Sequence, residues 1–94
     1  MWWKSELKVM SVKLVYFAWV RERIGFGDEN VTLPIDVATI EDVLNWLISR
    51  GDNYAYAFEK APFIRAAIDR KHAPHSSSVL NAKEIAFFPP MTGG

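Results

Sequence analysis

Thr-Ile-Glu-Asp-Val-Leu-Asn-Trp-Leu-Ile-Ser-Arg, residues 39–50, is the clearest helix in this sequence. Thr39 is a good N-cap, and Glu41 and Asp42 place negative charge at the positive end of the helix dipole. The apolar residues of the stretch follow the spacing of a single buried face: Ile40, Val43, Leu44, Leu47 and Ile48. The stretch therefore predicts an amphipathic helix of about three turns, ended by Gly51.

Short β-branched, aromatic or alternating runs on either side of this helix predict four strands, at residues 12–18, 30–33, 64–69 and 84–88. A short helical turn is expected at 19–24, a shorter second helix at 54–60 and a loop at 73–78. The order strand, strand, helix, strand, strand predicts an α+β domain, in which one main helix covers one face of a mixed four- to five-stranded sheet. This is the layout of the ubiquitin-like β-grasp fold, although other folds share the element order.

The composition excludes several classes of function. The 94 residues suit one small domain, and 11 Lys and Arg balance 11 Asp and Glu, so neither nucleic acid nor a membrane surface is an expected partner. No run approaches the roughly 20 apolar residues of a membrane span. The absence of cysteine excludes a disulfide framework, a thiolate nucleophile and a cysteine metal site, and it fits the cytoplasmic location that we expect.

The chain divides into three parts. We expect a β-grasp domain over residues 12–88 and a C-terminal tail over residues 89–94. Residues 1–11 lack a clear period, and two interpretations stay open for them: an N-terminal extension, or a start of the protein at Met10.

The tail has the composition of a thread that enters another protein. Pro89 and Pro90 cannot continue a sheet and favour an extended backbone, after which Met91 and Thr92 lead to two glycines. Gly93 and Gly94 have no Cβ, so a narrow channel can admit them. Frayed terminal glycines, a truncation or a cloning scar would give the same residues. The position directly after a strand and a Pro-Pro stop favours a C-terminal carboxylate that is chemically activated.

The first and last strands are apolar on both sides. When one set of alternating residues faces the helix, the other set faces away: Val15, Phe17, Ala86 and Phe88. An uncovered apolar face of this kind marks a protein interface. Cover by the N-terminal stretch or by a loop is the alternative.

His72 and His75 are the only histidines, and they do not predict a metal site. No cysteine or acidic cluster accompanies them, and Pro74 between them favours a loop. No Ser-His-Asp or paired-carboxylate pattern is present either. We therefore expect no metal and no catalytic activity of the chain on its own.

The stretches VKLVYFAWVRERIG (residues 12–25) and EIAFFPPMTGG (residues 84–94) resemble the MoaD family, the small, sulfur-carrying subunits of molybdopterin synthase. The resemblance implies that a MoeB-like activating enzyme uses ATP to adenylate Gly94, and that a sulfurtransferase converts the adenylate to a thiocarboxylate. The MoaE-like large subunit then receives the tail and passes the sulfur to a cyclic pyranopterin, in the biosynthesis of the molybdenum cofactor. No cofactor is bound by the carrier itself.

The resemblance also implies an interface with the large subunit at Phe17, Phe88 and His72, the last at a position that is commonly apolar in the family. Three alternatives share parts of this pattern. They are another ubiquitin-like sulfur carrier, for thiamine synthesis or tRNA thiolation; a protein modifier joined to lysines through Gly94; and an interaction module whose glycines are incidental.

Overall fold

The computed structural model describes residues 10–90, which form a mixed sheet with helices on one face. The strands are β1 (Met10–Tyr16), β2 (Asp28–Leu33), β3 (Arg65–Ile68), β4 (Lys71–Ala73) and β5 (Glu84–Phe88). The helices are α1 (Ala18–Ile24), α2 (Ile40–Ile48) and α3 (Asp52–Ala57), followed by a 3₁₀ turn at Ala61–Phe63. The predicted α+β, β-grasp architecture is confirmed.

The five strands lie in the order β2-β1-β5-β3-β4. β1 and β5 are parallel, whereas the other neighbouring pairs are antiparallel. The last strand in the described chain is therefore the middle strand of the sheet, hydrogen-bonded on both sides. The chain that follows β5 therefore starts from a strand that is paired on both sides.

The core lies between the sheet and the helices. Every second residue of the two central strands is buried on this side, namely Val12, Leu14 and Tyr16 in β1 and Ile85 and Phe87 in β5. The helix residues that pack against them include Ile40, Val43, Leu44 and Leu47 of α2. The apolar residues at helical spacing in α2 and the alternating apolar residues of β1 and β5 thus form one cluster, which hydrophobic burial stabilises.

The start of α2 is built as predicted, with Thr39 as its N-cap. The Thr39 hydroxyl accepts the backbone N–H of Asp42, and the Asp42 carboxylate accepts the backbone N–H groups of Ala38 and Thr39, a capping box. These backbone hydrogen bonds lower the pKa of Asp42 below its ordinary value. The helix ends at Ile48, two residues before the predicted Arg50.

Several predicted bounds need correction: β1 ends at Tyr16 rather than at residue 18, β2 begins at Asp28 rather than at residue 30, and the second predicted helix, at 54–60, lies at Asp52–Ala57. β1 begins at Met10 rather than at residue 12, and β4, at Lys71–Ala73, was not predicted. β3 and β4 are joined by Asp69 and Arg70, both with positive φ (49° and 72°), as in the two-residue hairpin turns that normally prefer Asn and Gly. The Asp69 carboxylate accepts the N–H groups of Lys83 and Glu84 at 3.0 Å each, so the turn is held by contacts distant in sequence.

Candidate functional site

The tail that is predicted to carry the chemistry starts at the end of β5. Pro89 and Pro90 follow Phe88 directly, and both prolines are half-buried. Four predicted tail residues lie outside the described part of the chain: Met91, Thr92, Gly93 and Gly94. Their roles stay predictions. The structure places the start of the tail at the end of the middle strand, beside the neighbouring ends of β1 and β3.

The sheet face turned away from the helices is apolar in the half nearest the tail. Val15, Ala86 and Ala67 lie side by side on this face, because their strands pair in that register. Two residues further from the tail, Lys13 lies opposite Glu84, and the face becomes polar. The apolar part therefore borders the tail and stops about midway along the sheet.

Phe17 lies on the same face, at the edge nearest the tail. Its backbone is extended (φ −123°, ψ 156°) and its N–H donates to the carbonyl of Phe87 at 3.1 Å, so the strand alternation continues through it. Its side chain is 49% exposed. Ala18 then turns the chain into α1 with a positive φ of 54°, a conformation that non-glycine residues adopt uncommonly.

His72 and Phe88 are in contact on this face. Their ring centroids are 5.6 Å apart in an edge-to-face arrangement, and His72 pairs with Ala67 across β3 and β4. The three residues predicted for the partner interface thus belong to one surface, although contact with a partner stays a prediction. We call this surface the outer patch and define it by Val15, Phe17, Ala67, His72, Ala86 and Phe88.

Sequence reasoning missed two residues beside the tail, Phe63 and Arg65. Phe63 ends the 3₁₀ turn and is 65% exposed, and Arg65 pairs with Phe88 at the start of β3. Together with His72 and Pro90 they line an open groove of about 470 Å³. The alternation along β3 already places Arg65 on the outward side, but the sequence shows nothing that brings Phe63 next to the tail.

The second histidine has a structural contact. His75 Nε2 lies 2.6 Å from the carbonyl oxygen of Ile64, so this nitrogen donates to it and links the loop after β4 to the start of β3. Within residues 10–90, no group of three or more His, Asp or Glu side chains is arranged to hold a metal ion. None of the helices in that part of the chain has the length and apolar character needed to cross a membrane.

A half-buried polar cluster lies on the helix side of the sheet, with Glu29 of β2 at its centre. Tyr16 and Tyr54 each donate a hydrogen bond of 2.7 Å to Oε2 of Glu29, and Arg50 lies 3.4 Å from Oε1. Burial, together with the bond to Glu29, raises the pKa of Tyr54 to about 12 and raises that of Tyr16 well above its ordinary range. Because both hydroxyls remain protonated donors to a structural acceptor, the cluster stabilises the fold rather than forming a reactive site.

The sequence of this chain is similar to those of known proteins. A family model for the ThiS family matches residues 14–94. The molybdopterin synthase sulfur carrier subunit of Haemophilus influenzae is 42% identical over 83 residues, which cover 88% of this chain and 99% of that protein. The subunit of the same name from Escherichia coli is 31% identical, with the same coverage.

A solved structure shows the same architecture. SAMP1, small archaeal modifier protein 1, from Haloferax volcanii superposes on this chain with a TM-score of 0.66 at 25% sequence identity. The match covers 89% of this chain and 99% of SAMP1. The similarity therefore spans nearly all of the described domain.

Proposed function

Since this chain belongs to the ThiS family and is a homologue of the molybdopterin synthase sulfur carrier subunits, we propose that it carries sulfur on its own C-terminus for molybdopterin synthesis. One observation supports the proposal: the family match extends through Gly94, so the predicted Gly-Gly end lies within the matched region. The predicted role of Gly94 as the activated and thiocarboxylated residue rests on that match.

The chemistry follows from what the chain contains. A carboxylate is a poor electrophile, so the C-terminal oxygen attacks the α-phosphorus of ATP in an activating enzyme, pyrophosphate leaves, and an acyl-adenylate forms. The terminal sulfur of a partner's persulfide then attacks the carbonyl carbon and AMP leaves. A second thiol reduces the acyl disulfide to a thiocarboxylate. The chain has no cysteine, so the carried sulfur is bonded to this carbonyl carbon.

The outer patch provides the docking surface in this proposal. Phe17 is 49% exposed, and Phe88 lies directly before the two prolines of the tail, so a partner seated on the patch also meets the emerging tail. Burial of exposed aromatic side chains would stabilise the complex. We propose the large, MoaE-like subunit as the acceptor of the tail, with a MoeB-like adenylating enzyme and a sulfurtransferase as earlier partners.

A second candidate function is protein modification. The structural match to SAMP1, whose name is that of a modifier protein, favours it. In that case the activated carbonyl of Gly94 would be attacked by a lysine amine of a target and form an isopeptide bond. The adenylation step is common to both functions, so only the fate of the activated end separates them.

Intact-mass analysis after incubation with ATP, the activating enzyme and a persulfide donor tests the proposal. A gain of about 16 mass units, from replacement of oxygen by sulfur, is expected, and it should disappear when the large subunit and the pterin precursor are added. Omission of ATP and deletion of Gly94 are the controls, and both should abolish the gain. An unchanged mass with competent partners would refute the carrier role, and recovery of the chain in lysine conjugates would favour the modifier role.

A further inference from the structure

The groove beside the tail differs from the outer patch in its charge. It is lined by Phe63, Arg65, His72 and Pro90, together with Pro74 and His75, and none of the described residues in its lining carries a carboxylate. Its ionisable groups are one guanidinium and two imidazoles. We call it the basic groove and define it by Phe63, Arg65, His72 and Pro90.

Arg65 differs from the two arginines that stack on aromatic rings, Arg23 and Arg50. Arg23 pairs with Glu59, and Arg50 pairs with Glu29. Arg65 takes part in no ion pair and no side-chain hydrogen bond formed within residues 10–90. Its side chain is exposed on the outer side of β3, opposite Phe88. A guanidinium at this position can donate two parallel hydrogen bonds to a carboxylate.

The basic groove is continuous with the proposed docking surface. His72 belongs to both the groove and the outer patch, and Pro90 is part of the tail. Phe63, 65% exposed, provides an apolar wall across from these residues. A protein that covers the outer patch and takes up the tail therefore meets the groove as well, at the border of the contact.

From this continuity and charge we infer that the basic groove receives an acidic side chain of the protein that takes up the tail. The inference rests on the proposed function, because it names a feature of the same partner. The carboxylate pairs with the exposed guanidinium of Arg65 at the border of the interface, beside the apolar surfaces of Phe63 and Pro90. Charge pairs at the border of an interface act mainly by speeding association, and they weaken as salt is added.

Binding kinetics of the full chain with its cognate large subunit test the inference. We expect Arg65→Glu to slow association about tenfold at low salt, and we expect most of this difference to vanish at about 300 mM salt, where charges are screened. Lys83→Glu is the matched control: it makes the same change of charge at an exposed position before β5, at the other end of the sheet, and it should alter association less than about threefold. Arg65→Gln should give an intermediate rate.

Two further measurements separate the outcomes. Thermal unfolding of each variant shows whether it is folded, and Arg65→Gln replaces Arg65→Glu in the comparison if the latter is not. Phe88→Ala weakens the outer patch without a change of charge, so it should slow association equally at low and high salt. If Arg65→Glu and Lys83→Glu changed the association rate equally while Phe88→Ala still slowed it, the inference about the basic groove would be wrong and the docking proposal would stand. A wild-type chain that does not bind the large subunit would overturn the docking proposal and the groove together.

Discussion

Replacement of Glu29 by alanine should cost this domain a large part of its stability. Tyr16 and Tyr54 are 1% and 6% exposed, and both hydroxyls donate to the same oxygen of Glu29 at 2.7 Å. The Glu29 side chain is 17% exposed, so water replaces its carboxylate only in part, and the two tyrosine donors are left poorly satisfied. The predicted change is a lower free energy of unfolding with an unchanged fold.

The magnitude follows from the two hydrogen bonds. A buried polar group left unsatisfied costs about 1–3 kcal/mol, and more when the lost partner is charged, so two of them cost about 3–5 kcal/mol. The contact between Arg50 and Glu29 adds little, because it is 3.4 Å long and partly exposed. At about 4–8 °C per kcal/mol for a domain of this size, the midpoint of thermal unfolding should fall by at least about 12 °C.

Urea and thermal unfolding, followed by circular dichroism, measure this change. Asp28→Ala is the control, because Asp28 is exposed and adjacent in sequence, and it should leave the midpoint within about 2 °C. Adding Tyr16→Phe and Tyr54→Phe to Glu29→Ala should recover much of the loss, since no unsatisfied hydroxyl remains. A loss below about 1 kcal/mol, or an equal loss for Asp28→Ala, would refute the dependence of the two tyrosines on Glu29.

Two other predictions concern pH and the β3–β4 turn. The pKa of Tyr54 is about 12 and that of Tyr16 is also raised, so their stabilisation is complete below the unfolded-state value of 10.0 and is lost as pH rises toward the folded-state values. Urea midpoints should therefore fall between about pH 10 and 12, and Tyr16→Phe with Tyr54→Phe should flatten the fall. Arg70→Gly should raise stability by about 0.5–1 kcal/mol, because glycine adopts the positive φ of 72° without strain. Lys71→Gly, in the adjacent strand, should lower stability and serves as the control. A lower thermal midpoint for Arg70→Gly would show that the positive φ of Arg70 does not strain the turn.

Much of the fold could be predicted because its signals are local. The N-cap at Thr39, the apolar spacing of α2 and the alternation of β1 and β5 each depend on residues within a few positions. The cysteine-free composition and the Gly-Gly end are likewise properties of the chain itself. They sufficed for the architecture and for the hypothesis of a carrier whose C-terminus reacts.

β4 could not be predicted for the opposite reason. Three residues, one of them exposed and cationic Lys71, carry no alternation that favours a strand. The strand forms because β3 supplies its hydrogen-bonding partners. The turn between β3 and β4 is also held in place, because the Asp69 carboxylate accepts backbone N–H groups at the start of β5. Pairing between distant segments is a property of the packed sheet, which no short window of sequence contains.

Local sequence signals were enough to predict the main helix and strands and the chemistry available to a tail in a chain without a thiol. Packing of the whole chain placed β5 in the middle of the sheet, set the ring of His72 against Phe88, and brought Phe63 and Arg65 into a groove beside Pro90. The physical reason is that side-chain period and turn preference act over a few residues, whereas strand order and surface neighbours depend on how the whole chain buries its apolar residues.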